Sequence, residues 1–259
     1  MRNSPGVSTR QRCRRWLRVA VLLLRGLVTV VAIYPLIGEA RRLERRRVWS
    51  LGLLRALDVA LISEGPAPPE GAFIVANHVS WLDIFAINAL APAAFIAKSE
   101  VRAWPLIGWL AAHNDTIFVQ RASRAQARTA NRRIARLVGC SRRAALFAEG
   151  TTSDGSKVLP FHAALLQPAI DAGAPVVPLA IRYEGRDGSR STIPAYIGAT
   201  SLIESLAAVC NADGLQVRLL WCSPREVDRK HRKQLCSETR HEICRELARH
   251  EPDAIALVV

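Results

Sequence analysis

The residues best suited to chemistry are His78 and Asp83, five positions apart in the stretch VANHVSWLD. The apolar run AFIVA ends just before Asn77, so these side chains follow the carboxyl end of a predicted strand, where open α/β sheets usually place their ligand sites. A carboxylate that reaches back to an imidazole fixes its tautomer and raises its basicity, so the second ring nitrogen can take a proton from a hydroxyl. The pair therefore predicts a general base, on condition that the chain turns between the two residues.

A purely structural interpretation of the same stretch is also open. Ser80 has a side chain suited to a helix N-cap, and Asp83, three residues later, completes a variant of the capping box. In that interpretation His78 is an ordinary loop histidine. Because the motif alone does not separate the two interpretations, the other strand ends of the chain have to be considered with it.

Three further segments place distinctive residues in or after predicted strands. FAEGTTSDG puts Glu149 and Gly150 after the run AALFA, and glycine there permits a tight turn and a close backbone approach. IFVQR puts Arg121 directly after another strand. VVPLAI holds Pro178 inside a strand-like run, which predicts an edge strand or a bulge. Together these segments predict one site assembled from several strand ends.

The elements that would position these residues alternate between short apolar runs and helical patterns. The predicted strands are AFIVA, FIA, TIFV, AALFA, VVPLAI and VRLLW. Such an alternation is typical of an α/β domain with a single, largely buried sheet and flanking helices. Leucines at helical spacing predict a helix over residues 48–62, and SEGPAPPEG then breaks the chain. We therefore expect a basic N-terminal part with membrane-anchoring helices (1–62), an α/β domain (63–225) and a helical tail (226–259).

The N-terminal part contains an apolar stretch between residues 17 and 37, about as long as the roughly 20 residues that cross a bilayer. Arg25 interrupts it, and basic clusters flank it on both sides, so charge gives no clear orientation. The pattern is compatible with a span, with a helix that lies in one leaflet, or with a hairpin formed with the next helix. A cleaved signal peptide is the alternative, but no small-residue cleavage site precedes Glu39. We expect a retained membrane anchor.

Composition limits the classes of partner. The chain has 259 residues, a formal net charge of +14 and 50% apolar residues, which favours a folded protein with acidic partners: nucleic acid, an anionic membrane surface or anionic metabolites. The six cysteines form no C-x-x-C pair, and the histidines and cysteines near the C-terminus would not converge on one helix face. No metal site is expected. The phosphate-binding patterns GxxxxGK and GxGxxG are absent, which argues against kinase and dinucleotide-binding functions.

Four blocks of this sequence, in order, resemble the glycerolipid acyltransferase family. They are NHVSWLD, KSEVRAWPLIGWLAAHNDTIFVQR, FAEGTTSDG and VVPLAI, and they cover roughly residues 72–182. The resemblance implies that His78 is the general base and that Asp83 orients it. It also implies a set of substrate-binding residues, namely Lys98, Arg121, Glu149, Gly150 and Thr151. Two positions depart from the family pattern: Ala148 replaces a proline and Thr152 replaces an arginine, and the second change removes a charge that would face a phosphate.

The same resemblance implies the reaction and its location. An acyl group would move from acyl-CoA or an acyl carrier protein to the free hydroxyl of a lysolipid, without cofactor or metal. Lysophosphatidic acid is the first expectation for the acceptor. The run EGTTSDG followed by VLPF is also similar to the branch that acylates lyso-ornithine lipid, whose headgroup lacks phosphate. The expected location is a membrane, at the cytoplasmic face of a bacterial inner membrane.

Two other classes of function remain to be weighed. From Arg121 to Arg143 the sequence contains eight arginines and no acidic residue, and Arg124, Arg128, Arg132 and Arg136 recur every four residues. Such a stripe would suit a nucleic-acid-binding protein, but aromatic residues are not interleaved with it and no reader motif is present, so no nucleic-acid partner is expected. It is otherwise a solvated face, or a surface for a membrane or an acidic acyl donor. A non-catalytic membrane scaffold would leave His78 and Asp83 unexplained.

Overall fold

One seven-stranded sheet organises the protein. A computed structural model describes residues 7–104, 107–119, 124–227 and 231–251, and within 124–128 it describes the backbone only. The strands are β1 (Ala60–Glu64), β2 (Phe73–Ala76), β3 (Ala93–Lys98), β4 (Ile117–Val119), β5 (Arg143–Phe147), β6 (Val176–Glu184) and β7 (Gln216–Trp221). Their order across the sheet is β1-β7-β6-β2-β5-β3-β4, and each neighbouring pair is parallel except β6 with β7. The predicted single sheet with flanking helices is confirmed.

Helices cover both faces of this sheet. They are α1 (Thr9–Val28), α2 (Glu39–Leu57), α3 (Leu82–Leu90), α4 (Ile107–His113), α5 (Arg124–Gly139), α6 (Gln167–Asp171), α7 (Leu202–Asn211) and α8 (Arg232–Arg249). Alternate residues of β2 enter different cores: Ile74 and Ala76 pack with α1, α2, α3 and α7, whereas Phe73 and Val75 pack with α5, α6 and α8. We call these two sides the hairpin face and the α5 face.

The sequence-based helix over residues 48–62 is correct only in its first part. Helix α2 ends at Leu57, because Asp58 adopts the left-handed conformation that terminates helices (φ +60°). Ala60–Glu64 then forms β1, an edge strand that pairs in parallel with β7. The helical spacing of Leu61 with the preceding leucines is therefore misleading. The expected boundary at residue 62 falls inside β1, so the first strand of the sheet begins before it.

Pro178 lies in an interior strand rather than at an edge. Strand β6 has β2 on one side and β7 on the other, which makes the edge-strand expectation wrong. The alternative expectation, a bulge, agrees with the register. Between the bridge Val176–Arg225 and the first ladder pair Leu179–Trp221, two residues of β6 face three residues of its neighbour. The proline, which has no N–H to donate, thus sits where the ladder is irregular.

The N-terminal helices form a hairpin against the domain. Helix α1 continues through a π-helical turn (Thr29–Ile33) and a 3₁₀ turn (Tyr34–Leu36), and α2 returns alongside it. The indole N–H of Trp49 donates to the carbonyl of Leu22 (2.9 Å), which joins the two helices. The segment Thr9–Leu36 is long and apolar enough to cross a membrane, and only 17% of its most apolar window is buried in the protein.

Candidate active site

The turn between β2 and α3 brings the histidine to its aspartate. His78 follows β2, and Asp83 lies in the first turn of α3, so the chain reverses between them. Nδ1 of His78 lies 2.8 Å from Oδ2 of Asp83. The chain thus meets the condition set by the five-residue spacing, since no continuous helix could bring these side chains together.

Asp83 closes the start of the helix as well as contacting the imidazole. Its Oδ2 accepts hydrogen bonds from the backbone N–H groups of Val79 (2.8 Å) and Ser80 (3.0 Å), and its Oδ1 accepts one from the hydroxyl of Tyr183 (2.7 Å). The carboxylate is completely buried. The structural and the chemical interpretations of this stretch are therefore compatible, because one carboxylate satisfies the backbone and orients the imidazole at the same time.

The imidazole of His78 is held on two sides. Its ring stacks on Phe147 at the end of β5, with centroids 3.8 Å apart and planes 6° from parallel. Because an ionised carboxylate can only accept, Nδ1 carries a proton, and in the neutral ring Nε2 then offers a lone pair. Within the described part of the chain no hydrogen bond reaches Nε2, and the side chain is 18% exposed. This nitrogen is therefore available for a further hydrogen bond.

Glu149 holds the backbone on both sides of the site. Its Oε1 accepts from the N–H of His78 (2.8 Å) and its Oε2 from the N–H of Leu159 (2.9 Å). Burial raises the pKa of the Glu149 carboxyl, while these two backbone donors act in the opposite direction. Both oxygens are thus occupied within the protein. The next residue, Gly150, has φ +68°, which a residue with a side chain rarely adopts.

The position at which the family pattern has an arginine is used internally. The hydroxyl of Thr152 donates to the carbonyl of Tyr196, and the N–H of Tyr196 donates to the carbonyl of Val79 (2.9 Å). The N–H of Ser153 donates to the carbonyl of His78 (2.8 Å). Thr152 therefore helps to fasten the loop around Tyr196 to the segment that carries the histidine.

The remaining predicted site residues lie at different distances along the sheet edge. Thr151 is exposed next to Gly150. Lys98 ends β3, which is separated from β2 by β5, and its side chain is exposed. Arg121 lies outside the described residues. The structure thus brings His78, Asp83, Glu149 and Gly150 together, whereas Lys98 stands two strands away.

Sequence reasoning missed two residues that build the site. Asn77 donates to the carbonyl of Ile181 (3.0 Å) and accepts from its N–H (2.7 Å), which ties the end of β2 to β6. Tyr183, on β6, contacts Asp83 across a hundred residues of sequence. Side chains alternate along a strand, so Leu179, Ile181 and Tyr183 all lie on the hairpin face. The strand pattern could therefore predict the face on which Tyr183 lies, but not its contact with Asp83.

Comparison with known proteins identifies the family. A family profile described as Acyltransferase matches residues 60–182. A 1-acyl-sn-glycerol-3-phosphate acyltransferase of Neisseria meningitidis is 41% identical over 189 residues, which is 71% of this chain and 73% of the relative. The chain belongs to the acyltransferase family. A lyso-ornithine lipid O-acyltransferase of Pseudomonas aeruginosa is 39% identical over 178 residues, with 69% of this chain and 68% of the relative covered.

A solved structure shows the same fold for an acyltransferase. The crystal structure of the 1-acyl-sn-glycerophosphate (LPA) acyltransferase, PlsC, from Thermotoga maritima superposes with a TM-score of 0.60 at 23% sequence identity. The match covers 91% of this chain and 97% of that one. This likeness supports the mixed sheet with flanking helices, whereas membership of the acyltransferase family follows from the sequence relatives.

Proposed function

We propose that this acyltransferase moves a fatty acyl group from acyl-CoA or an acyl carrier protein to the free hydroxyl of a lysophospholipid. The observation that carries the proposal is the contact of 2.8 Å between His78 Nδ1 and a completely buried Asp83. It leaves Nε2 of the imidazole as a base at the carboxyl edge of the sheet. The partners are a thioester donor, a lysolipid acceptor and an anionic membrane surface.

The proposed reaction is a direct transfer. Nε2 of His78 takes the proton of the acceptor hydroxyl as its oxygen attacks the thioester carbonyl, and Asp83 stabilises the imidazolium that forms. The tetrahedral intermediate then collapses as the C–S bond breaks, and the imidazolium returns the proton to the departing thiolate. Glu149 supports this step through the backbone N–H of His78. Holding both substrates at the sheet edge supplies much of the rate.

Lysophosphatidic acid is the acceptor that we place first, with phosphatidic acid as the product. The relative with 41% identity carries that activity in its name, and a net charge of +14 suits a phosphomonoester. In this proposal Arg121 and Lys98 contact the phosphate, and Gly150 and Thr151 let it approach the backbone. Glu149 was expected among these binding groups, but its two internal hydrogen bonds favour a supporting role.

Lyso-ornithine lipid is the second candidate, and a specific observation favours it. Thr152 is uncharged and its hydroxyl is engaged with the carbonyl of Tyr196, so this position offers no cation to a phosphate. Loss of one charge-assisted contact to the phosphate costs about 1.5 to 3 kcal/mol of binding free energy, and contacts from other arginines would offset that loss. The relative with 39% identity is named for this second activity.

The proposed location is the cytoplasmic leaflet of a membrane. The segment Thr9–Leu36 has the length and composition of a membrane helix, and the flanking arginines favour anionic lipid. Arg15 donates to the carbonyls of Cys210 (2.9 Å) and Ala212 (2.6 Å), so the helix lies side-on against the α/β domain. That arrangement favours a hairpin that lies in one leaflet, since the active site then remains beside the lipid surface.

Replacing the histidine tests the mechanism. His78→Ala should lower acyl transfer by on the order of a hundredfold or more, because the hydroxyl then has no base. Asp83→Asn should also lose activity through a wrongly oriented ring. The exposed His241 on α8 supplies the matched control, since His241→Ala should keep full activity. Thioester turnover with lysolipid, followed for purified protein, is the measurement. A folded His78→Ala variant with wild-type turnover would refute the mechanism.

Thr152 allows the two acceptors to be separated. The purified protein is assayed with lysophosphatidic acid and lyso-ornithine lipid side by side, and we expect a preference for the first. Thr152→Arg should improve use of lysophosphatidic acid alone if this position reads the phosphate. Thr152→Val removes the hydrogen bond to Tyr196 without adding charge and controls for loosening of the loop. A clear wild-type preference for lyso-ornithine lipid would reverse the order of the two acceptors.

A further inference from the structure

A tyrosine outside the predicted site contacts the carboxylate of the His78–Asp83 pair. Tyr183 lies on β6, and its ring packs in the hairpin-face core with 2% of its surface exposed. Its hydroxyl donates to Oδ1 of Asp83 at 2.7 Å, a length typical of a strong bond to a carboxylate. The contact joins the interior of the sheet directly to the first turn of α3.

The two oxygens of Asp83 have different partners. Oδ2 faces Nδ1 of His78 and the backbone N–H groups of Val79 and Ser80. Oδ1 faces the Tyr183 hydroxyl. The phenol therefore fixes the rotation of the carboxylate about its last side-chain bond, because a turn of the plane would break contacts on both oxygens. Without that anchor, Oδ2 would keep its donors but the plane of the carboxylate could tilt away from the imidazole.

We propose that Tyr183 is a positioning residue that, through Asp83, aims Nε2 of His78 at the acceptor hydroxyl and sets the basicity of the imidazole. The proposal rests on the proposed acyl transfer for its purpose. Its main test reads the imidazole itself and requires no substrate, so the two ideas can fail separately.

The charges around Asp83 predict in which direction loss of the Tyr183 hydroxyl changes the basicity of His78. Burial, and then the adjacent Asp83 carboxylate, raise the pKa of Tyr183 well above its usual value, so the phenol remains a donor over the whole working range. Asp83 also interacts with His78 and with Glu149 across the site. A donated hydrogen bond stabilises the carboxylate and weakens its pull on the imidazole proton. Removing the hydroxyl should therefore make His78 more basic while it loosens the aim of the ring.

Tyr183→Phe removes only the hydroxyl and is the test. Side-chain ¹⁵N chemical shifts of the six histidines are followed against pH in detergent-solubilised full-length protein, with His78→Ala to assign the signal. We expect the His78 titration to move to higher pH, by roughly half a unit to one unit. The acid limb of kcat/KM should move in the same direction, and kcat should fall about tenfold with little change in KM.

A second buried tyrosine provides the matched control. The hydroxyl of Tyr34 donates to Oδ1 of Asn114 (3.1 Å), and its ring is 7% exposed. Tyr34→Phe should lower the melting temperature but leave the His78 titration in place. If Tyr183→Phe behaves in the same way, its role is structural only and the proposal is overturned. If the His78 titration shifts in Tyr183→Phe but the wild-type protein acylates neither lysolipid, the positioning role of Tyr183 is supported and the proposed acceptors are refuted.

A second variant, which strengthens the hydrogen bond from Tyr183 instead of removing it, tests the proposal even if Tyr183→Phe does not fold. The chain has three tyrosines, so fluorotyrosine incorporated into the Tyr34→Phe, Tyr196→Phe variant labels Tyr183 alone. The fluorinated phenol is more acidic and donates more strongly at the same shape. It should move the His78 titration to lower pH, opposite to the effect of losing the hydroxyl. An unchanged titration in the fluorinated protein would overturn the proposal as well.

Discussion

Helices α1 and α5 are built from similar residues, arginines and aliphatic side chains, but they turn opposite faces to the protein. In α5 the buried residues are Ala130, Ile134 and Val138, and the exposed side chains include Arg132 and Arg136. In α1 the buried residues are Arg15, Val19 and Gly26, whereas large apolar side chains are exposed, namely Trp16, Leu17, Val21, Leu24 and Val28. One helix follows the rule for a protein surface in water, and the other reverses it.

The reversal in α1 concerns both its buried and its exposed side. Arg15 is buried because it satisfies two backbone carbonyls and Asp58, so its charge is fully partnered. The exposed apolar side of α1 finds no protein partner within the described residues, and contiguous exposed apolar surface of this kind marks an interaction site. This difference agrees with the proposed membrane contact on the hairpin face, and it predicts that the α5 face meets water or acidic solutes.

Charges placed on the exposed side of α1 should produce the largest effect. Leu17 and Leu24 are 65% and 62% exposed, and burying each in lipid would contribute about 1.5 to 3 kcal/mol. Leu17→Glu combined with Leu24→Glu should therefore shift the protein from the membrane fraction to the soluble fraction by a hundredfold or more. Fractionation with and without detergent measures this.

The matched control for that variant is on α5. Arg132→Glu with Arg136→Glu changes the net charge further but should leave the protein in the membrane fraction, since these side chains lie on the opposite face of the sheet. Release of the α5 variant and retention of the α1 variant would mean that the arginines, rather than the apolar side of α1, hold the protein to lipid. The comparison between the helices would then be inverted.

Removing the buried arginine of α1, Arg15, should have an intermediate effect, on stability. Arg15→Met leaves the carbonyls of Cys210 and Ala212 without donors, which should lower the free energy of unfolding by about 2 kcal/mol. Asp58 is largely exposed and can be hydrated, so it adds little. Arg18→Met, at an exposed position one turn later, is the control and should be neutral. Thermal unfolding in detergent measures both, and equal melting temperatures would contradict the account.

Most of the sheet was predictable because its strands carry local signals. Six of the seven strands were expected from apolar runs of the right length. The missed strand, β1, is an edge strand of intermediate or exposed residues, and its Leu61 continues the helical spacing of the leucines before it. Only the left-handed turn at Asp58 ends the helix there, and a sequence pattern gives that residue little weight.

The site was predictable where its contacts are short in sequence. His78 and Asp83 are five residues apart, so spacing and turn chemistry allowed their contact, although the other strand ends and the family resemblance were needed to favour a general base over a plain helix cap. Tyr183 was missed because a strand pattern fixes the side on which a residue lies but not which distant element meets it. The buried face of α1 could not be predicted either, because helical periodicity shows that the helix has two different faces but does not show which one packs against the protein. The two carbonyl groups that bind Arg15 lie almost two hundred residues away.

Charge reversal on α5 should give the smallest effect on catalysis and test the other side of the comparison. Arg132→Glu with Arg136→Glu should lower kcat/KM for an acidic acyl donor roughly threefold to tenfold at low salt, since steering of anions depends on the summed field of the surface. The difference from wild type should shrink as salt shortens the screening length to about 10 Å near 0.1 M and less beyond. Arg186→Glu with Arg249→Glu is the control, because both arginines already have acidic neighbours, Asp213 and Glu246. Identical low-salt kinetics in the α5 variant and wild type would show that the arginines of α5 form only a solvated face. Of the two helices, α1 alone would then have a role in binding, through its exposed apolar side.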